Sequence, residues 1–582
     1  MLLQPFLLKE KTRCDIIPLI ERNKKRLRSR KMYKSNSSIF SNYNIWLNAV
    51  KNDKKTFDEL KSIENDEKEI TDRFYCDLKF GTGGLRGKLG AGTNRMNVYV
   101  VSRATRGLAA YINKTTKGNK SVVIAYDSRN MSREFAFLAA DVFSGAGIKT
   151  YVFNTLTPTP ILSFAVRYLK TSAGIVITAS HNPKEYNGYK VYNKKGCQIT
   201  DEAAKDILAE IEAGGYFSEI CPYRSIIEVL DDTIQKEFLK EIQKYSLFSL
   251  KGVATPKIVY TPLNGTGNVP VREILREIGI KDVIVVPEQE NPDGNFPTCS
   301  YPNPEERAAL ELAVKLAKKE NADLVLATDP DADRTGVAVK TADGEYRLLN
   351  GNETGVLMED YIFSMRKTDD KKPVIVKTIV TSDMCEAIAN AYGAEVKEVL
   401  TGFKYIGETI DKLTANEEYV FGMEESYGYL VGTHARDKDS VSAAMTIAEM
   451  TAYYALQGKS LADKLSELYE KYGYYKTALT SISFPGKGGK KEMDEIVTDL
   501  RTAPWQTLCD EKVSLIDYSN GINELPKSNV LAFVGKNIKV TVRPSGTEPK
   551  LKIYYQVKAD SEQTSNLLLQ KVKEQAENHI RK

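Results

Sequence analysis

A serine in a short polar segment has the neighbours that phosphoryl transfer needs. Thr178-Ala179-Ser180-His181-Asn182-Pro183 follows the apolar run Gly174-Ile175-Val176-Ile177, which predicts a buried strand. Ser180 therefore stands on a tight turn where a strand ends, beside a histidine. A hydroxyl at such a place can reach a ligand, and a phosphorylated serine can relay a phosphoryl group. The segment has no G-x-S-x-G elbow, which argues against an α/β-hydrolase.

Three aspartates at alternate positions predict a metal site about 150 residues later. Asp329, Asp331 and Asp333 follow the apolar run Leu324-Val325-Leu326-Ala327. In an extended segment alternate side chains point to one side, so the three carboxylates should converge. A set of oxygen ligands without His or Cys favours Mg²⁺. An EF-hand is excluded, because Arg334 and Lys340 stand where it needs Gly and Glu.

Three further loops offer groups for a phosphorylated sugar. Phe80–Gly87 lacks the spacing of a P-loop, but its glycines present Arg86 to an anion. Gly422–Gly428 carries Glu424 and Ser426, which suit vicinal sugar hydroxyls; a glycosidase acid/base pair is the alternative use. Arg543–Lys550 combines an arginine fork, hydroxyls and a glycine, so it predicts either a phosphate-binding loop or an ordinary hairpin loop.

The elements that would position these loops form a β/α alternation from about residue 98 onward. Helices are predicted at Glu134–Ala146 and Glu305–Lys319. Strands are predicted at Val122–Tyr126, Lys149–Phe153, Gly174–Thr178, Lys257–Thr261, Val283–Pro287, Asp323–Thr328, Pro373–Lys377 and Tyr419–Phe421. This order indicates mainly parallel α/β domains, with ligands at the carboxyl ends of strands. Near the C-terminus, Asn537–Val542 and Leu551–Val557 predict two antiparallel strands of a separate α+β domain.

Composition describes an ordinary globular enzyme. The chain has 582 residues, enough for about four domains. Its mean hydropathy is −0.36, and it has no run of 18 apolar residues, so we expect no membrane span. Seven cysteines are scattered without ligand-like spacing, which favours reduced thiols in a cytoplasmic protein.

The positive charge of the chain is concentrated at the N-terminus. Residues 1–31 contain ten Lys/Arg and three Asp/Glu, a net charge of +7 against +5 for the whole chain, so the remainder carries −2. A nucleic-acid-binding tail would look like this, but a disordered extension, or a translation start at Met32, is the simpler interpretation. The near-neutral body gives no electrostatic reason to expect nucleic-acid binding.

Together these motifs resemble the α-D-phosphohexomutase superfamily, and within it the phosphoglucomutase/phosphopentomutase-like branch. The resemblance runs from about residue 44 to the C-terminus. It includes Thr401-Gly402-Phe403-Lys404 and Asn187-Gly188-Tyr189-Lys190 besides the loops above. It implies three related α/β domains and a C-terminal α+β domain around a central cleft. The implied segments are a basic, disordered extension at 1–43, followed by domains at 44–222, 223–342, 343–470 and 471–582.

The resemblance also assigns roles to residues. Ser180 would be the phosphorylated serine and, with the three aspartates, a ligand of Mg²⁺. The transferring group would be surrounded by Arg86, His181 and Lys190. A proton acceptor is still required, and Lys190, with a pKa lowered by nearby cations, and His181 are the candidates, with Lys438 on the opposite side. The sugar would be bound by Arg334, Thr401, Gly402, Glu424, Ser426 and Lys438. The second phosphate would be bound by Arg543, Ser545, Gly546 and Thr547.

The implied activity is interconversion of hexose 1- and 6-phosphates through a bisphosphate intermediate, glucose 1,6-bisphosphate if glucose is the sugar. The Glu-Glu-Ser sequence at 424–426 favours glucose over mannose or glucosamine. A phosphopentomutase, a phosphomannomutase and a sugar-bisphosphate synthase use the same residues and stay open. A phosphatase and a non-catalytic binder are the alternatives outside the class. We expect sugar phosphates as partners, no nucleic acid or membrane, and a monomer or dimer.

Overall fold

The structure is a computed structural model that describes residues 37–81, 83–367, 370–484, 489–522, 525–545 and 550–581. The chain divides into two compact units, with the boundary between Tyr75 and Cys76. Within the described ranges, no helix has the length and apolar character needed to cross a bilayer.

The first unit is a small helical body. Its helices are α1 (Ser37–Ala49), α2 (Lys54–Ser62) and α3 (Glu67–Phe74). The buried rings of Tyr43 and Trp46 pack edge-on against Phe74. Helix α1 therefore begins inside the segment 1–43 that was predicted to be a disordered extension. Its sequence is polar, and the packing of two aromatic side chains outweighs weak helix propensity.

The second unit begins with a six-stranded sheet flanked by helices. Its strands are β1 (Leu85–Lys88), β2 (Ser121–Tyr126), β3 (Lys149–Phe153), β4 (Ala173–Ile177), β5 (Tyr186–Asn193) and β6 (Ile227–Leu230). Its helices are α4 (Val98–Thr115), α5 (Ser132–Gly145), α6 (Thr159–Tyr168) and α7 (Asp201–Ala213). The strand order is β1-β5-β4-β2-β3-β6. The pairs among β4, β2, β3 and β6 are parallel, and β5 is antiparallel to both of its neighbours.

The second sheet has five strands in the order β11-β10-β9-β7-β8. They are β7 (Ile258–Thr261), β8 (Val283–Val285), β9 (Leu324–Thr328), β10 (Thr335–Lys340) and β11 (Tyr346–Leu349). The helices of this part are α8 (Thr233–Gln243), α9 (Asn268–Glu277), α10 (Pro287–Glu290) and α11 (Arg307–Glu320). The pairs β7/β8 and β7/β9 are parallel, whereas β10 and β11 are antiparallel additions.

The third sheet has four strands in the order β13-β12-β14-β15. They are β12 (Lys372–Thr378), β13 (Glu395–Val399), β14 (Glu417–Glu424) and β15 (Gly428–Val431). The helices are α12 (Gly351–Met365), α13 (Met384–Ala391), α14 (Phe403–Lys412), α15 (Ser440–Ala455) and α16 (Leu461–Tyr472). Only β15 is antiparallel to its neighbour, so this sheet ends in the same way as the first two.

The C-terminal part is different, because its sheet is entirely antiparallel, with the order β16-β22-β21-β20-β19. Its elements are β16 (Tyr474–Ser483), α17 (Gly489–Thr502), the small pair β17 (Thr507–Leu508) and β18 (Glu511–Lys512), β19 (Ser514–Asp517), β20 (Leu531–Val534), β21 (Ile538–Pro544), β22 (Lys550–Ala559) and α18 (Glu562–Ile580). The α+β character predicted for this part is confirmed.

The first three sheets share one kind of strand connection. In each, a buried parallel strand ends in a loop, and the chain returns as the neighbouring antiparallel strand. We name these connections the serine loop (residues 178–185, between β4 and β5), the acidic loop (residues 329–334, between β9 and β10) and the glutamate loop (residues 424–427, between β14 and β15). The hairpin fixes both ends of each loop in one sheet.

All eight predicted α/β strands exist, with ends within a few residues of the prediction. The strand predicted at Val283–Pro287 ends at Val285, because Pro287 begins helix α10. Two predicted domain boundaries cut a sheet. Strand β6 belongs to the first sheet although it follows residue 222, and β11 belongs to the second although it follows residue 342. Both are four-residue edge strands, too short for a clear alternating pattern.

Candidate active site

The serine loop holds Ser180 in an uncommon backbone conformation. Its φ is +54°, in the left-handed region that few non-glycine residues occupy. The backbone N–H of Ser180 donates to Thr178 Oγ1 at 2.7 Å, and the side chain is only 3% exposed. Ser180 Oγ donates to Asp329 Oδ2 at 2.8 Å, and His181 Nδ1 lies 3.2 Å away. The predicted nucleophile and the first predicted metal ligand are therefore in contact.

Arg129 fixes the shape of this loop, and the sequence analysis missed it. Its guanidinium donates to four backbone carbonyls, those of Ser180, Asn182, Pro183 (2.9 Å) and Tyr186 (3.2 Å). A planar group with several donors in a fixed fork suits such a set of acceptors. Arg129 therefore determines where the loop backbone lies, without touching the reacting hydroxyl.

The guanidinium is itself held from two sides. Its central carbon lies 4.9 Å from the centre of the Phe296 ring, and Nε lies 3.3 Å from Asp127. Arg129 follows strand β2 in the segment Asp127-Ser128-Arg129, the same arrangement of buried strand and polar residues that marked the other loops. That pattern could have identified Arg129 as a candidate site residue from the sequence.

The acidic loop converges for a reason that differs from the predicted one. The segment is not extended but turns sharply, with Ala332 at a φ of +52° and its N–H donating to the carbonyl of Asp329 at 2.9 Å. Asp329 Oδ1 accepts the backbone N–H groups of Asp333 and Arg334, both at 3.0 Å. One aspartate thus shapes the loop, and the prediction of three alternating side chains on an extended strand is wrong in its geometry.

The three carboxylates nevertheless form one cluster. Each of Asp329, Asp331 and Asp333 offers an oxygen, and these oxygens lie within 4.8 Å of one another. Among the described residues, Asp331 Oδ1 and Asp333 Oδ1 have no hydrogen-bond partner although both are buried. Burial and the two neighbouring carboxylates raise the pKa of Asp329 well above its usual range. Unsatisfied buried oxygens that repel one another fit a hard divalent cation.

Two lysines approach the cluster, Lys190 from β5 and Lys438 from the segment between β15 and α15. Lys190 lies 2.7 Å from Asp331 and 3.3 Å from Asp333, and Lys438 lies 3.2 Å from Asp333 and 3.1 Å from Asp437. Burial lowers the pKa of Lys190, but the two aspartates outweigh it and leave the pKa raised. The pKa of Lys438 is also raised, since Asp333 and Asp437 outweigh its burial. The aspartates therefore act against the lowering of the Lys190 pKa that was expected from nearby cations.

Arg86, His181 and Arg334 surround the opening above the serine. Arg86 lies on β1, which pairs with β5, and its Nη1 donates to Asn182 Oδ1 at 3.0 Å. Burial lowers its pKa. Burial, then Arg334 and Arg86, lower the pKa of His181 well below its ordinary value of 6.5, so the imidazole is neutral. Arg334 forms an ion pair with Glu305. Two guanidinium groups and a neutral imidazole thus face this opening.

The glutamate loop forms another wall of the cleft. Glu424 Oε1 accepts the N–H of Gly402 at 2.7 Å, and Gly402 has a φ of +119°, which a side chain would strain. The adjacent Glu425 has a pKa raised to about 7 by burial and by Glu424. Thr401, Gly402, Glu424 and Ser426, predicted together as sugar-binding residues, all line the cleft.

The cleft between these loops has a volume of about 730 Å³, which suits a small phosphorylated molecule. The cleft is lined by Arg86, His181 and Arg334 together with the glutamate loop.

The C-terminal sheet contributes the remaining wall. Arg543 and Ser545 line the cleft, as predicted for a phosphate-binding loop between two antiparallel strands. Gly546 and Thr547, predicted for the same role, lie outside the described residues. Lys552 of β22 also lines the cleft and was not predicted; burial, then the nearby Arg543, lower its pKa. Lys552 could have been predicted from the sequence, because it lies two residues beyond Lys550 on the same strand.

Models of known protein families match most of the chain. Four consecutive family models match, all described as phosphoglucomutase/phosphomannomutase: alpha/beta/alpha domain I at residues 77–216, domain II at 236–344, domain III at 350–472 and the C-terminal domain at 491–573. The four-domain architecture implied by the sequence resemblance is thereby confirmed.

Curated relatives extend over nearly the same region. A phosphoglucomutase of Staphylococcus aureus (strain MRSA252) is 37% identical over 519 residues, which is 86% of this chain and 93% of that protein. A phosphoglucomutase of Staphylococcus saprophyticus is 35% identical and covers 85% and 93%.

Solved structures share the fold at lower identity. Parafusin, a phosphoglucomutase from Paramecium in its open form, superimposes with a TM-score of 0.68 at 17% identity, over 87% of this chain and 95% of that one. A phosphoglucomutase/phosphomannomutase family protein from Burkholderia thailandensis gives 0.62 at 17% identity, over 85% and 96%. With the site geometry and the four matched domains, these findings show that the chain belongs to the phosphoglucomutase/phosphomannomutase family of phosphohexomutases.

Proposed function

We propose that the chain is a Mg²⁺-dependent phosphoglucomutase that interconverts α-D-glucose 1-phosphate and glucose 6-phosphate. The observation that carries this proposal is the contact between the buried Ser180 hydroxyl and a cluster of three aspartates, flanked by two lysines. Phosphoryl transfer depends mostly on positioning and charge neutralisation, and this arrangement supplies both. The names of the Staphylococcus relatives support glucose as the sugar.

The reaction is a relay through Ser180. In the first half, the bond between phosphorus and Ser180 Oγ breaks while a bond forms from the sugar hydroxyl oxygen to phosphorus, and the hydroxyl proton passes to a base. The product is glucose 1,6-bisphosphate. In the second half, the phosphate at the other end of the sugar is transferred to Ser180 Oγ, and the phosphoenzyme is regenerated. The intermediate must turn around between the halves, so the distal phosphate site has to accept either end of the sugar.

The cations of the site have distinct tasks in this scheme. Lys190 and Lys438 already donate to carboxylates, so we propose that they act as fixed positive charges rather than as bases. His181, with Nδ1 3.2 Å from Ser180 Oγ, is then the side chain placed to exchange a proton with the reacting oxygens. Arg86 faces the same space and supplies a positive charge to the transferring group.

The metal site would consist of Asp329, Asp331, Asp333 and Ser180. When bound there, Mg²⁺ supplies positive charge that stabilises the transferring phosphoryl group. The unsatisfied oxygens of Asp331 and Asp333 are the observation that supports this assignment. Mg²⁺ is favoured over softer metals because the set contains only oxygen ligands.

The remaining predicted residues would bind the rest of the substrate. Glu424 and Ser426 would accept and donate hydrogen bonds to sugar hydroxyls, beside Thr401, Gly402 and Arg334. Arg543 and Ser545, with Gly546 and Thr547, would bind the phosphate that is not reacting. We further propose a cytoplasmic location, supported by the six described cysteines, which are all unpaired.

A coupled assay tests the proposal. The purified chain is incubated with glucose 1-phosphate, Mg²⁺ and a trace of glucose 1,6-bisphosphate, and glucose 6-phosphate is followed through its dehydrogenase. We expect magnesium-dependent turnover that falls by at least roughly 10³-fold in Ser180→Ala with the fold intact. Ser102→Ala, which removes a buried hydroxyl from helix α4 of the same domain, is the matched control. Activity of the Ser180→Ala variant near that of the wild type would refute the relay.

The sugars are ranked in a separate assay that measures each sugar phosphate product directly, because the coupling dehydrogenase detects glucose 6-phosphate. Ribose 1-phosphate and mannose 1-phosphate are compared with glucose 1-phosphate by kcat/KM. We expect glucose to be preferred, and a higher value for ribose or mannose would assign the chain to a phosphopentomutase or phosphomannomutase. Release of inorganic phosphate without isomerisation would instead indicate a phosphatase.

A further inference from the structure

A second cavity lies at the opposite end of strands β4 and β5 from the serine loop, beside Ala173 and Asn193. Its volume is about 960 Å³, larger than that of the cleft. Its apolar floor contains Leu108 and Ile112 of α4, Val191 of β5, Ile207 of α7, and Ile199 between β5 and α7. The side chain of Tyr111, which is partly exposed, adds an aromatic wall. Cavities of this size and character bind small organic molecules in other proteins.

The rim of this cavity is strongly basic. Five cationic side chains line it, and the only acidic lining residue is one aspartate, Asp411. The five are Lys117, Arg167, Lys170, Lys194 and Lys195. Asp411 is already engaged, because it accepts from Arg436 Nε at 2.8 Å and lies 3.5 Å from Lys195. Across the part of the chain that the structure describes, Lys117, Lys170 and Lys194 have no carboxylate at ion-pair distance. The cavity therefore carries positive charge that the protein does not neutralise.

Arg167 is the most deeply placed of these cations. Its Nη1 donates to the backbone carbonyls of Thr433 and His434, the latter at 2.8 Å. No described residue accepts a hydrogen bond from its Nε or Nη2. Burial, then the nearby Arg436, lower its pKa more than Asp411 raises it, so the protein compensates this guanidinium only in part. An anion in the cavity would supply the missing acceptor.

We propose that this cavity is a second ligand site, for a metabolite that combines several negative charges with an apolar or aromatic body. The charges would contact Arg167 and the rim lysines, and the body would lie on the apolar floor. Nucleoside triphosphates belong to this chemical class, and ATP is the probe with which the site is tested. The inference does not depend on the sugar that the cleft accepts.

The cavity also touches residues that reach the cleft. Tyr192 lines it, and its hydroxyl donates to Asp437 Oδ2 at 2.6 Å. Asp437 in turn lies 3.1 Å from the amine of Lys438. Tyr192 and Arg167 are therefore unsuitable test positions, because a change in either would also disturb the cleft. Lys170 and Lys194 are exposed and have no such contact.

Calorimetric titration with ATP tests the proposal directly. The titration is made on the full chain with EDTA and saturating glucose 1,6-bisphosphate, so that the cleft is filled. We expect one ATP per chain, with affinity at least roughly tenfold lower in the double variant Lys170→Glu/Lys194→Glu. The control Lys315→Glu/Lys571→Glu reverses two other exposed lysines and should change affinity by less than about twofold. Melting temperatures verify that each variant is folded.

Two results would overturn the site. One is no heat of binding up to about 5 mM ATP with glucose 1,6-bisphosphate present, which includes the case in which ATP binds to the unfilled cleft alone. The other is an equal loss of affinity in the two double variants. Inorganic pyrophosphate tests the apolar floor. We expect it to bind at least roughly tenfold more weakly than ATP, and equal binding would contradict a ligand with an apolar body.

Discussion

The serine loop and the acidic loop stand at equivalent places in two sheets, but they are held in different ways. Each follows a buried parallel strand and precedes an antiparallel one, and each contains one non-glycine residue with positive φ, Ser180 or Ala332. The acidic loop is held from within, because Asp329 accepts two of its backbone N–H groups. The serine loop is held from outside, because Arg129 binds three of its carbonyls and that of Tyr186 at the start of β5.

The two loops differ in whether one residue or two residues carry the structural and the chemical role. In the acidic loop one carboxylate both shapes the backbone and offers charge to a cation, so its two tasks cannot be changed independently. In the serine loop the hydroxyl and the group that shapes the loop belong to different residues. Substitutions in the acidic loop, which holds three of the four proposed metal ligands, should therefore weaken metal binding and catalysis together, whereas a change in the residue that shapes the serine loop should affect mainly catalysis.

The largest effect is expected for Asp329→Ala. The variant leaves two buried N–H groups without an acceptor and removes one charge from the cluster, at a cost of about 1–3 kcal/mol for each unsatisfied group. We expect kcat to fall by at least roughly 10³-fold, together with weaker Mg²⁺ binding and a lower melting temperature. Asp206→Ala, at an exposed position of α7, is the control. Unchanged Mg²⁺ affinity in Asp329→Ala would contradict the double role.

A smaller effect is expected for Arg129→Lys, which keeps the charge but loses the planar fork. Misplacement of the loop by about 1 Å should lower kcat by roughly 10²-fold. The apparent Mg²⁺ affinity should fall far less than in Asp329→Ala, because three of the four proposed ligands lie in the acidic loop, and KM should change little because the distal phosphate site is untouched. Arg133→Lys is the matched control, since Arg133 is exposed and also lies over an aromatic ring, that of Phe137. A parallel loss of Mg²⁺ affinity would refute the separation of the two loops.

The glutamate loop differs from the other two loops in a contribution to stability that should depend on pH. Its Glu425 has a pKa raised from 4.5 to about 7, so the folded protein binds this proton more tightly than the unfolded chain. The resulting stabilisation is present below pH 4.5 and is lost as the pH rises through about 7. Glu425→Gln does not titrate, so its stability relative to the wild type should rise between pH 5 and pH 8 by on the order of 2 kcal/mol.

Chemical denaturation at several pH values measures this difference. Glu311→Gln, at an exposed position of α11, should show no such trend. A constant difference between Glu425→Gln and the wild type across this pH range would mean that Glu425 titrates normally in the folded protein.

The smallest effect is expected for Ala332→Gly. Glycine adopts a positive φ without the cost of about 1 kcal/mol that alanine meets, but it also makes the unfolded chain more flexible by a similar amount. We expect stability within about 1 kcal/mol of the wild type and activity within roughly threefold. Ala327→Gly, in the buried strand β9, should be clearly more destabilising. The reverse order would show that the turn needs the alanine side chain.

The features that could be predicted from the sequence are those that depend on residues close together in the chain. The strands before each loop contain continuous apolar runs. Ser180 and Asp331 follow their strands within three residues and Glu424 ends its strand, so their common edge could be inferred from parallel-sheet geometry. The antiparallel return strands were harder to predict, because β5 and β10 mix polar with apolar residues and follow their loops closely. The sharp turn of the acidic loop also escaped prediction, since nothing in its composition requires Ala332 to adopt a positive φ.

Contacts between distant segments could not be predicted from one sequence. Arg129 is separated from the carbonyls it binds by more than 50 residues, and backbone carbonyls leave no trace in residue type. The pKa of Lys190 depends on two aspartates more than 140 residues away. Their effect on this pKa could not be anticipated, because one sequence contains no distance from Lys190 to either carboxylate.

The contact between Arg129 and the serine loop has an evolutionary consequence. The guanidinium binds main-chain oxygens alone, and every amino acid presents one of those. Side chains in the loop can therefore be exchanged through mutation without loss of the arginine's four acceptors, whereas exchange of Asp329 destroys the acceptor itself. The serine loop is thus the more tolerant place for inherited variation, and new chemistry at the same position of the fold is more accessible there than in the acidic loop.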